Sequence, residues 1–356
     1  MRVGFVGGHL REHVVERFFA AFITGLDPAA FERWVWSASD AGDARTEAIA
    51  AGVEHFAHGE STLEKLAADI RAAELDVLVY LDVGLDARTG ALAALRLAPI
   101  QAACCGHPVT TGLDSIDQFL SGKLLEPPGA QVQYREKLVR LPQLGSSPRA
   151  PSASGDGDWA DALRLEGKPL LMCLQNLAKL PPSFDDVLAA ILARSGARLV
   201  LFDRGGGTSA RWRKRVDRAL STQGVSVDML RIEPLRAYGD FLAGIARADL
   251  VLDSPGFSGG ATSLDALAMG AAVLCFEGAS ARARQTSAML RMVEVPELIA
   301  GSAADYVERA VALLAEPQRV AVLRSNIRER ANRLFETAPV VEAFADFLRS
   351  CRKRLT

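Results

Sequence analysis

Residues 250–276 read LVLDSPGFSGGATSLDALAMGAAVLCF, and the order of residue types in them decides the fold. Leu250–Asp253 is a short apolar run that reads as a buried strand. Gly256, Gly259 and Gly260 interrupt it, a helix is expected over Thr262–Met269, and a second apolar run follows at Val273–Phe276. Strand, glycine-rich turn, helix, strand is the signature of a parallel βαβ unit. The alternation continues upstream, with strands at Leu170–Leu174, Arg198–Asp203 and Leu230–Ile232 and helices at Phe184–Arg194, Ala210–Leu220 and Tyr238–Ala246. It also fills the first third of the chain. There strands are expected at Arg2–Val6, Trp34–Ser37, Val77–Leu81 and Ile100–Cys104, and a helix at Leu63–Ala73. Another helix carries Val14, Val15, Phe18, Phe19 and Phe22 at helical spacing, and helices fill the end of the chain to a last one at Val340–Leu355.

The alternation pauses at residues 144–158, LGSSPRAPSASGDGD. Glycine, serine and proline dominate, and little there could be buried, so it reads as a linker; a surface loop within a domain would look the same. The pattern predicts an α/β chain of two doubly wound, Rossmann-like domains facing across a cleft. Their expected bounds are 1–145, a linker at 146–158, 159–336, and a last helix at 337–356 that could return to the first domain. Open α/β sheets bind ligands beyond the carboxyl ends of their strands. Residues just after strands are therefore the functional suspects.

A chain of 356 residues, 49% hydrophobic and 24% charged, suits two ordinary soluble domains. Its longest uncharged apolar run, Ala266–Phe276, is well short of the ~18 residues a membrane span needs. The start, MRVGFVGGHLREH, meets glycine, histidine and charge within a few residues and does not read as a secretory signal. Net charge is −2 and the pI near 6.3, which argues against a nucleic-acid partner. Five cysteines show no CxxC and no zinc spacing, and their odd number and the absent signal point to a reducing cytoplasm. Arginine far outnumbers lysine and alanine is abundant, as in proteins of GC-rich bacterial genomes.

Several residues could carry chemistry. The glycine-rich turn before Thr262 offers backbone N–H groups and a helix dipole to an anion. Thr262 and Asp265 also fit a capping box, which needs no ligand. Lys179, after the strand Leu170–Leu174, could neutralise a departing diphosphate, or be a solvated loop lysine. His13 follows the first strand and its Gly7-Gly8 turn, where it could act as a general base or donate to a phosphate or sugar oxygen; His9 is its neighbour. His55 and His58 read as surface residues of a weak edge segment. In the loop CCGHPVTTG, His107, Thr110 and Thr111 offer more hydrogen-bonding groups than a purely structural turn would need. Walker A, HExxH and GxSxG motifs are absent, and the glycines at 205–207 read as a turn.

Taken in order, VGFVGGHLREHVV, LRLAPIQ, GHPVTTG, YREKLVRLP, LQNLAKLPP, ADLVLDSP, SGGATSLDALAMG and PELIA resemble glycosyltransferase family 41, the SPINDLY and O-GlcNAc transferase family. The GHP-type loop is also a feature of its N-glucosyltransferase branch. The resemblance implies a GT-B fold and inverting, metal-independent transfer of GlcNAc or glucose from a UDP-sugar to a protein side chain, with no cofactor. It implies that Lys179 binds the diphosphate beside Asn176, that Thr262 meets the phosphates with Gly260 and Ala261, and that Asp265 holds the ribose. His13 matches a histidine discussed as base or sugar contact, and Phe241 falls near the position of a ring against the nucleotide base. His107, Thr110 and Thr111 would lie on the acceptor side.

The chain departs from the family at Ala261, usually polar, at Gly260, a histidine position, and at Glu277, a proline position that would bring a carboxylate near phosphates. GDP-fucose remains open as a donor. The helical repeats that family members commonly use to hold acceptors are not seen, so a separate recruiting partner is one expectation. The competing readings are a small-molecule GT-B transferase or epimerase, and an impaired donor-binding scaffold.

Overall fold

Seven strands form the first sheet: β1 (Arg2–Gly7), β2 (Glu32–Ser37), β3 (His55–Ala57), β4 (Val77–Tyr80), β5 (Ile100–Cys104), β6 (Gln118–Gly122) and β7 (Lys137–Leu141). All pairs are parallel, in the order β3-β2-β1-β4-β5-β6-β7. The computed structural model describes residues 1–59, 61–152, 154–203, 205 and 207–353. The chain divides into two units, Met1–Arg149 with Phe335–Thr356, and Ala150–Leu334.

Alternation along β1 builds the first unit. Val3 and Phe5 enter one apolar cluster with Val15, Phe19, Phe22 and Ile23 of the helix Val14–Thr24. Val6 enters the opposite cluster with Trp36, Leu78 and Tyr80. The last helix, Ala338–Arg352, completes the first cluster: Val340, Phe344, Leu348 and Cys351 recur on one face and are fully buried. The Phe344 ring stacks on Phe22 at 4.4 Å.

The second unit holds β8 (Leu170–Cys173), β9 (Arg198–Asp203), β10 (Leu230–Pro234), β11 (Leu250–Leu252), β12 (Val273–Phe276) and β13 (Ile299–Ala300). They are parallel in the order β10-β9-β8-β11-β12-β13. Each sheet reverses its strand order once, between β1 and β4 in the first and between β8 and β11 in the second. Tyr306, buried on the helix Ala303–Ala315, ties the second switch region down by donating to the carbonyls of Asp253 (3.0 Å) and Leu274 (3.2 Å).

Four strands depart from the sequence reading. β3 and β13 have only three and two residues, too short for a periodicity. β6 and β7 follow β5 without an intervening α-helix, and β6 buries the polar Gln118 and Ser121. The segment 144–158 is also more buried than its composition suggests. Leu144–Pro148 are buried, and the N–H groups of Ser147 and Arg149 donate to the carbonyls of Phe18 and Arg17 at 2.9 Å. Small residues there permit backbone-to-backbone packing: a Cβ on Gly155 would lie 2.2 Å from the Gly239 carbonyl carbon. Of the glycines at 205–207, Gly205 and Gly207 have positive φ, as in a turn, and Gly206 lies outside the described residues. The last helix ends at Arg352, and Leu355 also lies outside them.

Removing the Phe344 ring leaves a cavity against Phe22 and Phe5. Phe344→Ala is expected to lower the stability of the first unit by about 3–5 kcal/mol, read as a fall in its urea midpoint.

Candidate functional site

In the second unit the polypeptide leaves β8 through Leu174 and Gln175 and enters a 3-10 turn, Leu177–Lys179. Asn176 caps that turn, its Oδ1 accepting the Ala178 N–H at 2.9 Å. Asn176 and Lys179 are exposed, and the Lys179 ammonium lies 3.8 Å from the centre of the Phe257 ring, a cation–π contact. Phe257 belongs to the loop after β11, so residues from both sides of the switch point meet.

That loop closes over Asp253. The Asp253 carboxylate is buried, accepts the Gly259 N–H at 2.8 Å and the Gln175 amide at 3.4 Å, and burial pushes its pKa up to about 6. Gly259 has no room for a side chain, since a Cβ would fall 2.1 Å from Ser263 Oγ. The helix Ala261–Ala268 then begins at Gly260, whose residue type offers no cap. Among the described residues the N–H groups of Ala261, Thr262 and Ser263 have no hydrogen-bond acceptor, nor does the Thr262 hydroxyl have a partner. The capping box open to Thr262 and Asp265 is therefore not formed: both lie inside the helix. Asp265 is buried and accepts the Tyr238 O–H at 2.8 Å. Three uncapped N–H groups at the positive end of a helix suit an anion.

The departures have local explanations. A Cβ on Gly260 would approach Gln285 Oε1 to 2.8 Å, so Gln285 fills space that a larger residue at 260 would need. Glu277 accepts from Arg291 (2.5 and 2.9 Å) and Ser287 (2.8 Å) and pairs with Arg284 at 2.9 Å. Burial alone would raise its pKa, but these donors outweigh it and hold the carboxyl below its usual value. The charge is thus compensated where it sits. Phe241 has a core role: it is nine-tenths buried, its ring edge-to-face with Phe202 at 5.1 Å.

In the first unit, His13 caps the helix Val14–Thr24, its Nδ1 accepting the Val15 N–H at 3.2 Å. His9 stacks on it with ring centres 4.1 Å apart. His9 Nδ1 lies 2.7 Å from Oδ2 of Asp82, a fully buried carboxylate that also takes the Gly8 N–H at 3.0 Å. Burial raises the pKa of Asp82. Burial, helped by His9 and Arg11, lowers that of His13 from 6.5 to about 4. His107 lies in the loop after β5, near Gly84: a Cβ there would be 3.0 Å from its ring. The threonines of that loop are engaged internally. Thr110 donates to Glu136 at 2.6 Å, the Thr111 N–H does so at 2.7 Å, and the Thr111 hydroxyl also bonds Glu136. Burial would raise the Glu136 pKa, but these bonds leave it lowered. The hydroxyls that seemed surplus in the sequence anchor the loop to the residue before β7.

His55 sits against Trp34 at 3.5 Å and bonds Glu32. Asp82, Asp253, Gln175 and Tyr238 escaped the sequence reading. For the two aspartates the signal was present, an acid closing an apolar strand beside a glycine turn; Tyr238 and Gln175 had none.

Two all-parallel, doubly wound units are the architecture of GT-B glycosyltransferases. Residues 175–343 match the model of glycosyl transferase family 41. The chain is 27% identical over 92% of its length to a probable UDP-N-acetylglucosamine–peptide N-acetylglucosaminyltransferase SPINDLY of Petunia hybrida. It is 27% identical over 76% of its length to a UDP-glucose:protein N-beta-glucosyltransferase of Actinobacillus pleuropneumoniae. It spans 36% and 44% of those proteins, respectively. A mutant Thermobaculum terrenum O-GlcNAc transferase superposes on all of the chain with TM-score 0.87 and 29% identity, the match covering 69% of that structure.

The depressed His13 pKa has a thermodynamic consequence. The unfolded chain takes up a proton near pH 6.5 and the folded one only near 4, so stability falls as pH drops from 6.5 toward 4. Asn also caps helices but does not titrate there. His13→Asn should therefore lose less stability than wild type between pH 7.5 and pH 5, measured by urea unfolding; the buried aspartates are common to both proteins and largely cancel.

Proposed function

We propose that the chain is the catalytic region of an inverting, metal-independent glycosyltransferase. It would move GlcNAc or glucose from a UDP-sugar to a protein side chain. The observation that carries this is the uncapped start of the helix Ala261–Ala268, which bears Asp265 and follows the loop whose Phe257 meets Lys179. A departing nucleoside diphosphate gains negative charge as the bond to the sugar breaks. Fixed N–H dipoles and an ammonium lower that barrier. Lys179 is the phosphate cation, Thr262 a phosphate hydroxyl donor and Asn176 the residue that shapes the lysine turn. Asp265 takes the ribose hydroxyls, with Tyr238 as the donor that now occupies its carboxylate.

The reading assigns donor binding to the second unit and the acceptor side to the first, where His13 and His107 lie. His13 Nδ1 is committed to the helix cap, so a neutral His13 presents Nε2–H, a donor for a sugar or phosphate oxygen. Support for UDP-sugars and protein acceptors comes from the relatives, two of whose names specify UDP-N-acetylglucosamine with peptide and UDP-glucose with protein. A recruiting partner for the acceptor remains part of the proposal. So does a cytoplasmic location, supported by five free cysteines. No helix among the described residues is long and apolar enough to cross a membrane.

A thermal-shift panel with UDP, GDP, UDP-GlcNAc and UDP-glucose, each with and without EDTA, tests the donor site. A nucleotide at ~100 times its Kd adds about 2.7 kcal/mol. UDP and a UDP-sugar should stabilise wild type equally with or without EDTA, and Lys179→Ala should abolish the shift. Stabilisation by GDP alone would move the reading to a fucosyl donor. No shift with any nucleotide would favour the scaffold reading. His13→Ala is expected to keep donor binding and lose mainly turnover; equal donor affinity in wild type and Lys179→Ala would remove the lysine from its role.

A further inference from the structure

The two stacked imidazoles at the carboxyl edge of the first sheet are held in opposite senses. His13 Nδ1 accepts the Val15 N–H, so its proton is on Nε2. Protonating His13 would break that cap and place a cation at the positive end of a helix, against His9 and near Arg11. His9 is the reverse. Its Nδ1 faces the buried Asp82 carboxylate at 2.7 Å, and a carboxylate that accepts the Gly8 N–H at both oxygens is an acceptor here, so Nδ1 carries the proton. In the neutral ring Nε2 of His9 is then a lone pair, and it makes no hydrogen bond among the described residues. Asp82 is held for this task by the Gly8 N–H, in a turn so tight that a Cβ on Gly8 would lie 2.4 Å from Asp86 Cγ. The pair straddles the switch point, His9 following β1 and Asp82 following β4. Asp82, Asp86, Arg11 and His13 are the charged or titratable groups identified around His9.

We propose that His9, oriented by Asp82, takes the proton from the sugar-accepting group, while His13 beside it serves only as a hydrogen-bond donor. This rests on the transferase reading above. The acceptor O–H or N–H gives its proton to His9 Nε2, and the freed electron pair forms the bond to the anomeric carbon. The bond from that carbon to the diphosphate oxygen breaks, its electrons leaving with the nucleoside diphosphate. His9 then returns the proton to water. Asp82 is a positioning residue: it fixes the tautomer and stabilises the imidazolium without touching the acceptor.

The experiment has two arms. Histidine NMR with labelled ring nitrogens, on the whole chain without ligand, should show His9 protonated at Nδ1 and His13 at Nε2. Asp82→Asn should turn His9 into a mixture of tautomers, an effect a merely structural aspartate would not have. The second arm follows UDP release from UDP-GlcNAc and from UDP-glucose with a peptide library containing serine, threonine and asparagine. His9→Ala should lower kcat by about 100-fold or more. Donor KM should stay within about twofold, and added imidazole should restore part of the rate. Wild-type kcat in His9→Ala, or a rate loss that imidazole does not relieve in a folded variant, would overturn the proposal. Were that variant unfolded, His9→Gln takes its place, and a His9 protonated at Nε2 in wild type overturns the proposal by itself. A wild-type chain that releases no UDP from either donor defeats the transferase reading first, an outcome distinct from an active wild type whose rate ignores His9.

Discussion

Each sheet is organised around a carboxylate buried where its strand order reverses. Asp82 and Asp253 close the strands that follow the reversal, and both are almost inaccessible to water. Burying a carboxylate is unfavourable unless hydrogen bonds replace the lost hydration, and here a glycine N–H does so in each unit, from Gly8 and from Gly259. The constraint runs in both directions. A glycine turn pinned by an aspartate cannot drift, so the residues that flank it acquire fixed positions. In the first unit that fixes His9 and His13; in the second it fixes Gly260 and the start of the helix Ala261–Ala268. Burial leaves the pKa of both acids raised, a sign that these bonds only partly offset the desolvation. Function gives a reason to retain such groups where an apolar residue would pack with less penalty.

The sequence was most legible where the physics is local. Apolar runs separated by helical periods marked β1, β2, β4, β5 and five of the six strands in the second unit, because a strand covered on both faces must be apolar throughout. β6 and β7 were hidden for a physical reason: Gln118, Ser121 and Glu126 are buried polar groups there, Ser121 donating to Glu126 at 2.5 Å and Gln118 to Cys351 Sγ at 3.7 Å. Such polar residues read as a loop until their partners are known. Likewise the serine-rich 146–149 stretch looked solvated, yet its serines are small enough to lie against the first helix.

The candidate site was legible in kind. Position after a strand singled out His13, Lys179 and the glycine turn, and the structure gives each a defined setting. What one dimension could not supply was which atom of each residue is already in use. Thr110 and Thr111 looked like binding groups and instead hold Glu136. Glu277 looked like an obstacle to phosphate and instead is matched by Arg284 and Arg291. Asp265 looked like half of a helix cap and instead bonds Tyr238. In each case the residue type was informative, and the hydrogen-bond partner decided what it does.

The same rule separates the two histidines. Composition treats His9 and His13 alike, and position alone favours His13, which opens a helix. A ring nitrogen can be a base only while its lone pair is uncommitted, and the helix has claimed the lone pair of His13 at Nδ1. The remaining nitrogen of a neutral ring so held is a donor. His9 is held through its proton rather than its lone pair, because its partner is a carboxylate and not an N–H. The charge of the neighbour, not the identity of the side chain, thus sets which imidazole can accept a proton. That charge stays in place because Gly8, lacking a side chain, lets its backbone N–H reach Asp82.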